Sequence, residues 1–187
     1  MALSINEIKA GFTILVDGVV WLTMECQHVK PGKGAAFVRV KMRHLKNNSV
    51  QEVTFRGDEK IEEAYVEERK LQYQYSSGGM YHFMDQETFE EVAISDEQLG
   101  DKKKFLKDNL EVAAYFFKSD FLNINLPNFI EVVIRHTEPG IRGDTAKSGT
   151  KLAEVETGAF IQVPLFINEG ERIKVDTRTG SYVERVN

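Results

Sequence analysis

The stretch KPGKGAAFVRVKMRH, residues 30–44, governs how the rest of the chain is read. From Val38 to Arg43 apolar and basic residues alternate without a break. In an extended chain successive side chains point to opposite sides. Val38, Val40 and Met42 therefore share a face suited to a core, while Arg39, Lys41 and Arg43 share the other. The three charges would stand roughly 6.5–7 Å apart, close to the phosphate separation on one nucleic-acid strand. Just before the strand, Pro31 fixes one backbone angle, and Gly32 and Gly34 allow a positive φ, which is the chemistry of a tight hairpin tip. Lys33 sits between the two glycines with no bulky neighbour. Its side chain is expected to project freely, toward a partner or toward a modifying enzyme. Nothing nearby would bury it, so it does not suit a desolvated nucleophile or general base. Nor is this a phosphate loop, because the lysine is followed by Gly34 and a strand instead of Ser or Thr and a helix.

The charge distribution sharpens that reading. The chain has 187 residues and a formal net charge of −5. Between Gln27 and Gln51 there is no Asp or Glu, but there are Lys30, Lys33, Arg39, Lys41, Arg43 and Lys46. This segment carries +6, which leaves −11 for the remainder. An acidic molecule with one strongly basic element implies RNA or another polyanion as its partner. Solvated sheet faces usually mix both signs, and this strand carries no acid of its own.

Working outward, most of the chain reads with period two. Residues 12–16, 19–29, 35–44, 50–55, 70–75, 80–85, 112–117, 121–125, 129–136, 159–167, 172–177 and 182–186 are rich in β-branched and aromatic residues, with Gly, Asn, Asp, Ser and Pro between them. Many short strands with regular turns favour small barrels or sandwiches over a parallel sheet. One helix is predicted after Ser95, with Gln98 completing a capping box and Leu99, Phe105, Leu106 and Leu110 on its apolar side; Gly100 should keep it short. The acidic, strand-poor stretch 58–63 and the Leu126-Pro127 step divide the chain into three units, 1–64, 65–127 and 128–187. Each has the size of a small β-barrel. The letters show no clear repeat.

Several chemistries find no support. Cys26 is the only cysteine, which excludes an internal disulfide and a thiolate zinc site. The four histidines lack paired ligand spacing, so no metal is expected. No catalytic triad or carboxylate pair can be assigned, and no cofactor is implied. Asn47-Asn48-Ser49 and Arg142-Gly143-Asp144 match glycosylation and adhesion motifs that a cytoplasmic protein would not use. Cytoplasmic location is expected because the stretch MALSINEIKAGF lacks the apolar run of a signal peptide and no run of about 18 apolar residues exists. The run Lys102-Lys103-Lys104, flanked by Asp101 and Asp108, reads as a solvated helix face.

Taken together, these residues resemble a known family. KPGKGAAFVRVKMR is similar to the first-domain hairpin of bacterial elongation factor P, and residues 138–186 resemble that family's last domain almost throughout. VTF (53–55), MYHFMD (80–85) and LPNFIEVVI (126–134) follow in the family's order. Leu152 departs from the proline many members carry after the lysine of Gly-Thr-Lys.

The resemblance implies an all-β, non-enzymatic protein of three barrels, an SH3-like (KOW-like) barrel followed by two OB-type barrels in an L-shaped, tRNA-like arrangement. It implies a monomer that binds the ribosome between the peptidyl and exit tRNA sites. There it would stimulate peptide-bond formation at stalled sequences such as consecutive prolines. Lys30, Gly32, Lys33, Gly34, Arg39, Lys41 and Arg43 would then meet tRNA and rRNA, with Lys33 directed at the peptidyl tRNA. Lys33 is also a modification site in many members, which adds a lysine-modifying enzyme to the partners. Gly143, Asp144 and Thr145 match the loop near the exit-site codon, and Tyr182 and Arg185 match ribosome-contacting positions. Two other readings stand beside this one: a general single-stranded RNA-binding OB protein, and an enzyme using Lys33 as nucleophile.

Overall fold

The computed structural model describes residues 2–30, 32, 34–57, 59, 61–139 and 149–186. Their architecture is almost entirely β, in three antiparallel sheets, as the period-two reading requires.

The first sheet contains β1 (Ala2–Leu3), β2 (Thr13–Val16), β3 (Val19–Val29), β4 (Phe37–His44), β5 (Val50–Arg56) and β6 (Ile61–Glu63), in the order β1-β6-β2-β3-β4-β5. Asp17 and Gly18 join β2 to β3 with φ of 51° and 78°, the two left-handed positions of a turn whose twist matches a hairpin. Inward residues of β2–β6, among them Ile14, Trp21, Val40, Met42, Phe55 and Ile61, close over Ile5 and Ile8 from the preceding loop. The stretch 58–63 was expected to be strand-poor, yet its last three residues form β6 and pair with both β1 and β2. Three residues are too few to show a period, and the burial of Ile61 in the core is what fixes them there.

The second sheet holds β7 (Val66–Ser77), β8 (Met80–Asp85), β9 (Glu91–Ser95), β10 (Glu111–Phe117) and β11 (Asp120–Asn125), ordered β11-β10-β7-β8-β9. The third holds β12 (Phe129–Thr137), β13 (Thr150–Val155), β14 (Phe160–Pro164), β15 (Arg172–Asp176) and β16 (Ser181–Val186), ordered β14-β13-β12-β15-β16. These two orders are the same path. In each, the first strand is central, the second and fourth flank it, and the third and fifth lie at the edges. In the third sheet the edge strands β14 and β16 come together, which curls it toward a barrel. The repeat absent from the letters is therefore present in the topology.

Besides the short β1 and β6, two longer strands are absent from the period-two pattern for a physical reason. In β13 the small Ala153 and Val155 point into the core while Leu152 is half exposed, so the apolar alternation is inverted in size. In β9 only Ile94 is buried.

The predicted helix is present and short. Ser95 and Gln98 form the capping box of α1 (Asp96–Leu99), and Gly100, with a φ of 57°, ends it and leads into a 3₁₀ turn, Gly100–Phe105. Leu99 and Leu106 are buried, and Phe105 and Leu110 pack on the core of the third sheet.

Two compact units result, one of Met1–Glu68 with Ala114–Asn123, the other of Arg69–Ala113 with Ile124–Asn187. Within the first, Leu122 packs with Val20 and Ala64, and Asn123 Nδ2 donates to the Leu45 carbonyl at 2.8 Å. Within the second, Thr157 Oγ1 donates to the Lys104 carbonyl at 2.7 Å. Among the described residues no helix is long and apolar enough to cross a membrane.

Candidate nucleic-acid interface

β3 and β4 form the hairpin that the opening stretch predicts. Their pairing runs from Trp21 with His44 out to Val29 with Phe37, so the hairpin is centred on sequence position 33. Lys33 and Pro31 themselves lie outside the described residues. Lys30 and Gly32 are exposed, and Gly34 has a φ of 117°, a conformation that an L side chain rarely adopts.

The alternation in β4 holds. Val38, Val40 and Met42 are buried, and Arg39, Lys41 and Arg43 face outward. The outer face is not free of acid, however. The Arg39 guanidinium lies 3.4 Å from Glu52 on β5, and Lys41 Nζ lies 3.3 Å from Glu25 on β3. Reading one strand in isolation missed both partners. The signal was available for Glu52: β4 and β5 turn at Lys46–Asn47, and a register symmetric about that turn sets Lys41 opposite Glu52.

The position of Glu25 depends on a bulge, which strand periodicity does not show. The pairing shifts by one residue between Thr23 and Glu25, which turns Met24 outward and brings Glu25 to Lys41. Buried Thr23 anchors the irregularity. Its Oγ1 lies 2.5 Å from the Lys9 carbonyl and 2.9 Å from the Phe12 carbonyl, and the Phe12 N–H donates back to it at 3.0 Å.

Both ion pairs are between half-exposed side chains, where a pair contributes at most about 1 kcal/mol. Such pairs can be exchanged for contacts to phosphate. Arg43 differs from its neighbours: its Nε is buried and makes no hydrogen bond among the described residues.

The remaining predicted positions lie elsewhere. Gly143, Asp144 and Thr145 are outside the described residues. Tyr182 is partly buried and packs against the core of the third sheet, and Arg185 Nη1 sits 3.2 Å from Glu171 Oε1. The structure thus brings Arg39, Lys41 and Arg43 together on one face and places Tyr182 and Arg185 on β16, in a different sheet.

Three of the histidines have identifiable surroundings. His44 Nδ1 accepts from the Lys46 N–H, His82 meets Glu91 at 2.9 Å and stacks on Tyr75, and His136 meets Glu169 at 2.7 Å. Among the described residues no group of three or more His, Cys, Asp or Glu side chains could hold a metal ion. Burial pushes the Cys26 thiol above its ordinary pKa, the opposite of activation.

The lysine run 102–104 departs from the solvated face expected of it. Lys102 is half-buried and its Nζ donates to the Ile124 carbonyl, while Lys103 meets both carboxylate oxygens of Asp96 at 2.7 Å and Lys104 pairs with Asp101.

Comparison with known proteins finds similarity along nearly the whole chain. Residues 4–61 match the elongation factor P KOW-like domain, 66–124 the elongation factor P OB domain, and 130–185 the elongation factor P C-terminal domain. An elongation factor P from Natranaerobius thermophilus is 52% identical over 181 residues, covering 97% of this chain and 96% of that protein. One from Pelotomaculum thermopropionicum is 48% identical over 184 residues, covering 98% and 100%. Among solved structures, eukaryotic translation initiation factor 5A from Methanococcus jannaschii shares the fold with a TM-score of 0.54 and 23% identity, over 67% of this chain and 92% of that one. The chain belongs to the elongation factor P family of translation elongation factors.

Proposed function

We propose that the protein binds the ribosome between the peptidyl and exit tRNA sites and stimulates peptide-bond formation at stalled sequences such as consecutive prolines. The observation that carries this reading is the outward row Arg39, Lys41 and Arg43 on a hairpin centred on position 33, in a chain similar over its full length to elongation factor P. Outward cations neutralise phosphates and position the hairpin. Lys33 then reaches the acceptor end of the peptidyl tRNA and holds it in an attack-ready geometry. The rate gain is entropic, from positioning, while the ribosome supplies the chemistry. Enzymatic chemistry of the factor's own has no part in this scheme.

The finer assignments belong to the same proposal. Lys30, Gly32, Gly34, Arg39, Lys41 and Arg43 face tRNA and rRNA. A modifying enzyme extends Lys33. Gly143, Asp144 and Thr145 approach the exit-site codon, and Tyr182 and Arg185 act at the ribosome surface. The protein works as a cytoplasmic monomer divided into domains 1–64, 65–127 and 128–187.

The test is synthesis of a polyproline reporter in a purified translation system. Lys33→Ala is expected to fold normally and to lose the stimulation. Full stimulation by that variant would overturn the tip mechanism. Tight binding of free single-stranded RNA without ribosomes would favour the general RNA-binding alternative instead.

A further inference from the structure

A recess lies far along the chain from the hairpin, inside the second compact unit, where the 3₁₀ turn after α1 meets the turns following β13 and β15. Its volume is about 640 Å³, within the range that small-molecule sites occupy. The charged residues lining it are Lys102, Lys104, Arg178 and Asp101, three cations to one acid in a molecule whose net charge is negative. Two aromatic rings, Phe105 and Phe160, complete the wall, and Gly158 and Gly180 leave it open. A side chain at Gly158 would meet no heavy atom within 4 Å, so the space beside it is unfilled.

The individual side chains suit an anionic ligand with a flat ring. Phe160 points outward from β14 and is 66% exposed, so its ring face is open to a stacking partner. Phe105 instead packs on the core and provides a fixed wall. Arg178 is held in place by Asp176, to which its Nε and Nη2 donate at 3.0 and 2.6 Å. That pairing draws the Asp176 carboxyl down to a pKa of about 2; the guanidinium also lies over the Phe129 ring, 5.7 Å from its centroid, and no hydrogen bond from Nη1 is found among the described residues. Lys102 is half-buried, with its Nζ donating to the Ile124 carbonyl, and burial lowers its ammonium pKa. The rim is not purely basic, since Glu154 is the cross-strand neighbour of Phe160.

We propose that this recess binds a nucleotide, its phosphate between Lys104 and Arg178 and its base stacked on Phe160. A phosphate alone would use the cations without the ring, and an apolar ring alone would use the ring without the cations. The nucleotide could be a free mononucleotide or one unit of an RNA strand, and the chemistry of recognition is the same for both. This inference does not rest on the function proposed above, because the ribosome reading makes no use of Phe160 or Arg178.

The experiment is a titration of the ¹⁵N-labelled full chain, following the amides of Gly158 and Gly180. The added probes are adenosine 5′-monophosphate, inorganic phosphate and a short single-stranded oligouridylate. Saturable shifts with the mononucleotide or with the oligonucleotide are expected, and whichever binds more tightly identifies the source. Phe160→Ala should weaken that binding about tenfold or more, the scale of one base–aromatic stack. Arg178→Gln should weaken it too, and both substitutions are at exposed positions that leave the core intact. The assignment is overturned if neither nucleotide probe shifts these amides, if inorganic phosphate binds as tightly as the mononucleotide, or if Phe160→Ala binds as the unaltered protein does.

Discussion

The chain carries two dense basic runs, and they have different fates. In β4 the cations alternate with apolar residues, so the strand points them all to one side. After α1 three lysines follow one another directly, and the 3₁₀ turn sends each in its own direction: Lys102 to a carbonyl, Lys103 to Asp96, Lys104 to Asp101. Equal local charge thus produces a coherent face in one place and three separate anchors in the other. The difference lies in the period of the backbone, since a strand repeats every two residues and a 3₁₀ turn every three.

The comparison predicts that substitutions in β4 divide cleanly by face. Met42 is fully buried among Ile14, Val40 and Phe55, so Met42→Ala should lower the unfolding free energy by about 2–5 kcal/mol through the cavity it leaves. Arg39→Ala or Lys41→Ala, on the other face of the same strand, should cost less than about 1 kcal/mol. Denaturant titrations of the three variants measure both, and comparable losses on the two faces would contradict the division.

The second run should show no such parity. Lys102→Ala removes a half-buried side chain whose ammonium donates to the Ile124 carbonyl, which should cost about 1–2 kcal/mol. Lys104→Ala, at an exposed neighbour, should fall within about 0.5 kcal/mol of the unaltered protein. Thermal unfolding of the pair reads the contrast. If both variants unfold alike, Lys102 is no anchor.

How much of this could be read in the letters follows from the same contrast. Strands with large residues inside and polar ones outside, such as β4 and β12, declare their period. So does the capping box at Ser95 and Gln98, because its chemistry is local. What stayed hidden depended on partners remote in sequence. β6 becomes a strand because β1 and β2 flank it. β13 buries Ala153 and exposes Leu152, contrary to size. The shared path of the second and third sheets leaves no trace in the residues because topology constrains which strands pair without dictating identities. At the candidate interface the cations were legible and Glu52 followed from the β4–β5 register, but Glu25 did not, because a bulge places it.

Those acids supply the smallest and most discriminating test of the β4 face. Glu25 and Glu52 sit within 3.4 Å of Lys41 and Arg39, and each occupies a cation that a phosphate would otherwise engage. If the face binds RNA phosphates, the carboxylates compete with the ligand. Replacing both, as Glu25→Gln with Glu52→Gln, should then raise ribosome affinity about threefold to tenfold, on the scale of two exposed ion pairs. It should also steepen the dependence of affinity on salt, since two more cations would release counterions on binding. Folding stability should scarcely change, because both glutamates are exposed and glutamine keeps their shape. Equilibrium binding to ribosomes at several salt concentrations measures affinity and slope together. Should neither move, the cations of β4 would be settled in their cross-strand pairs, as Lys103 is in its pair with Asp96.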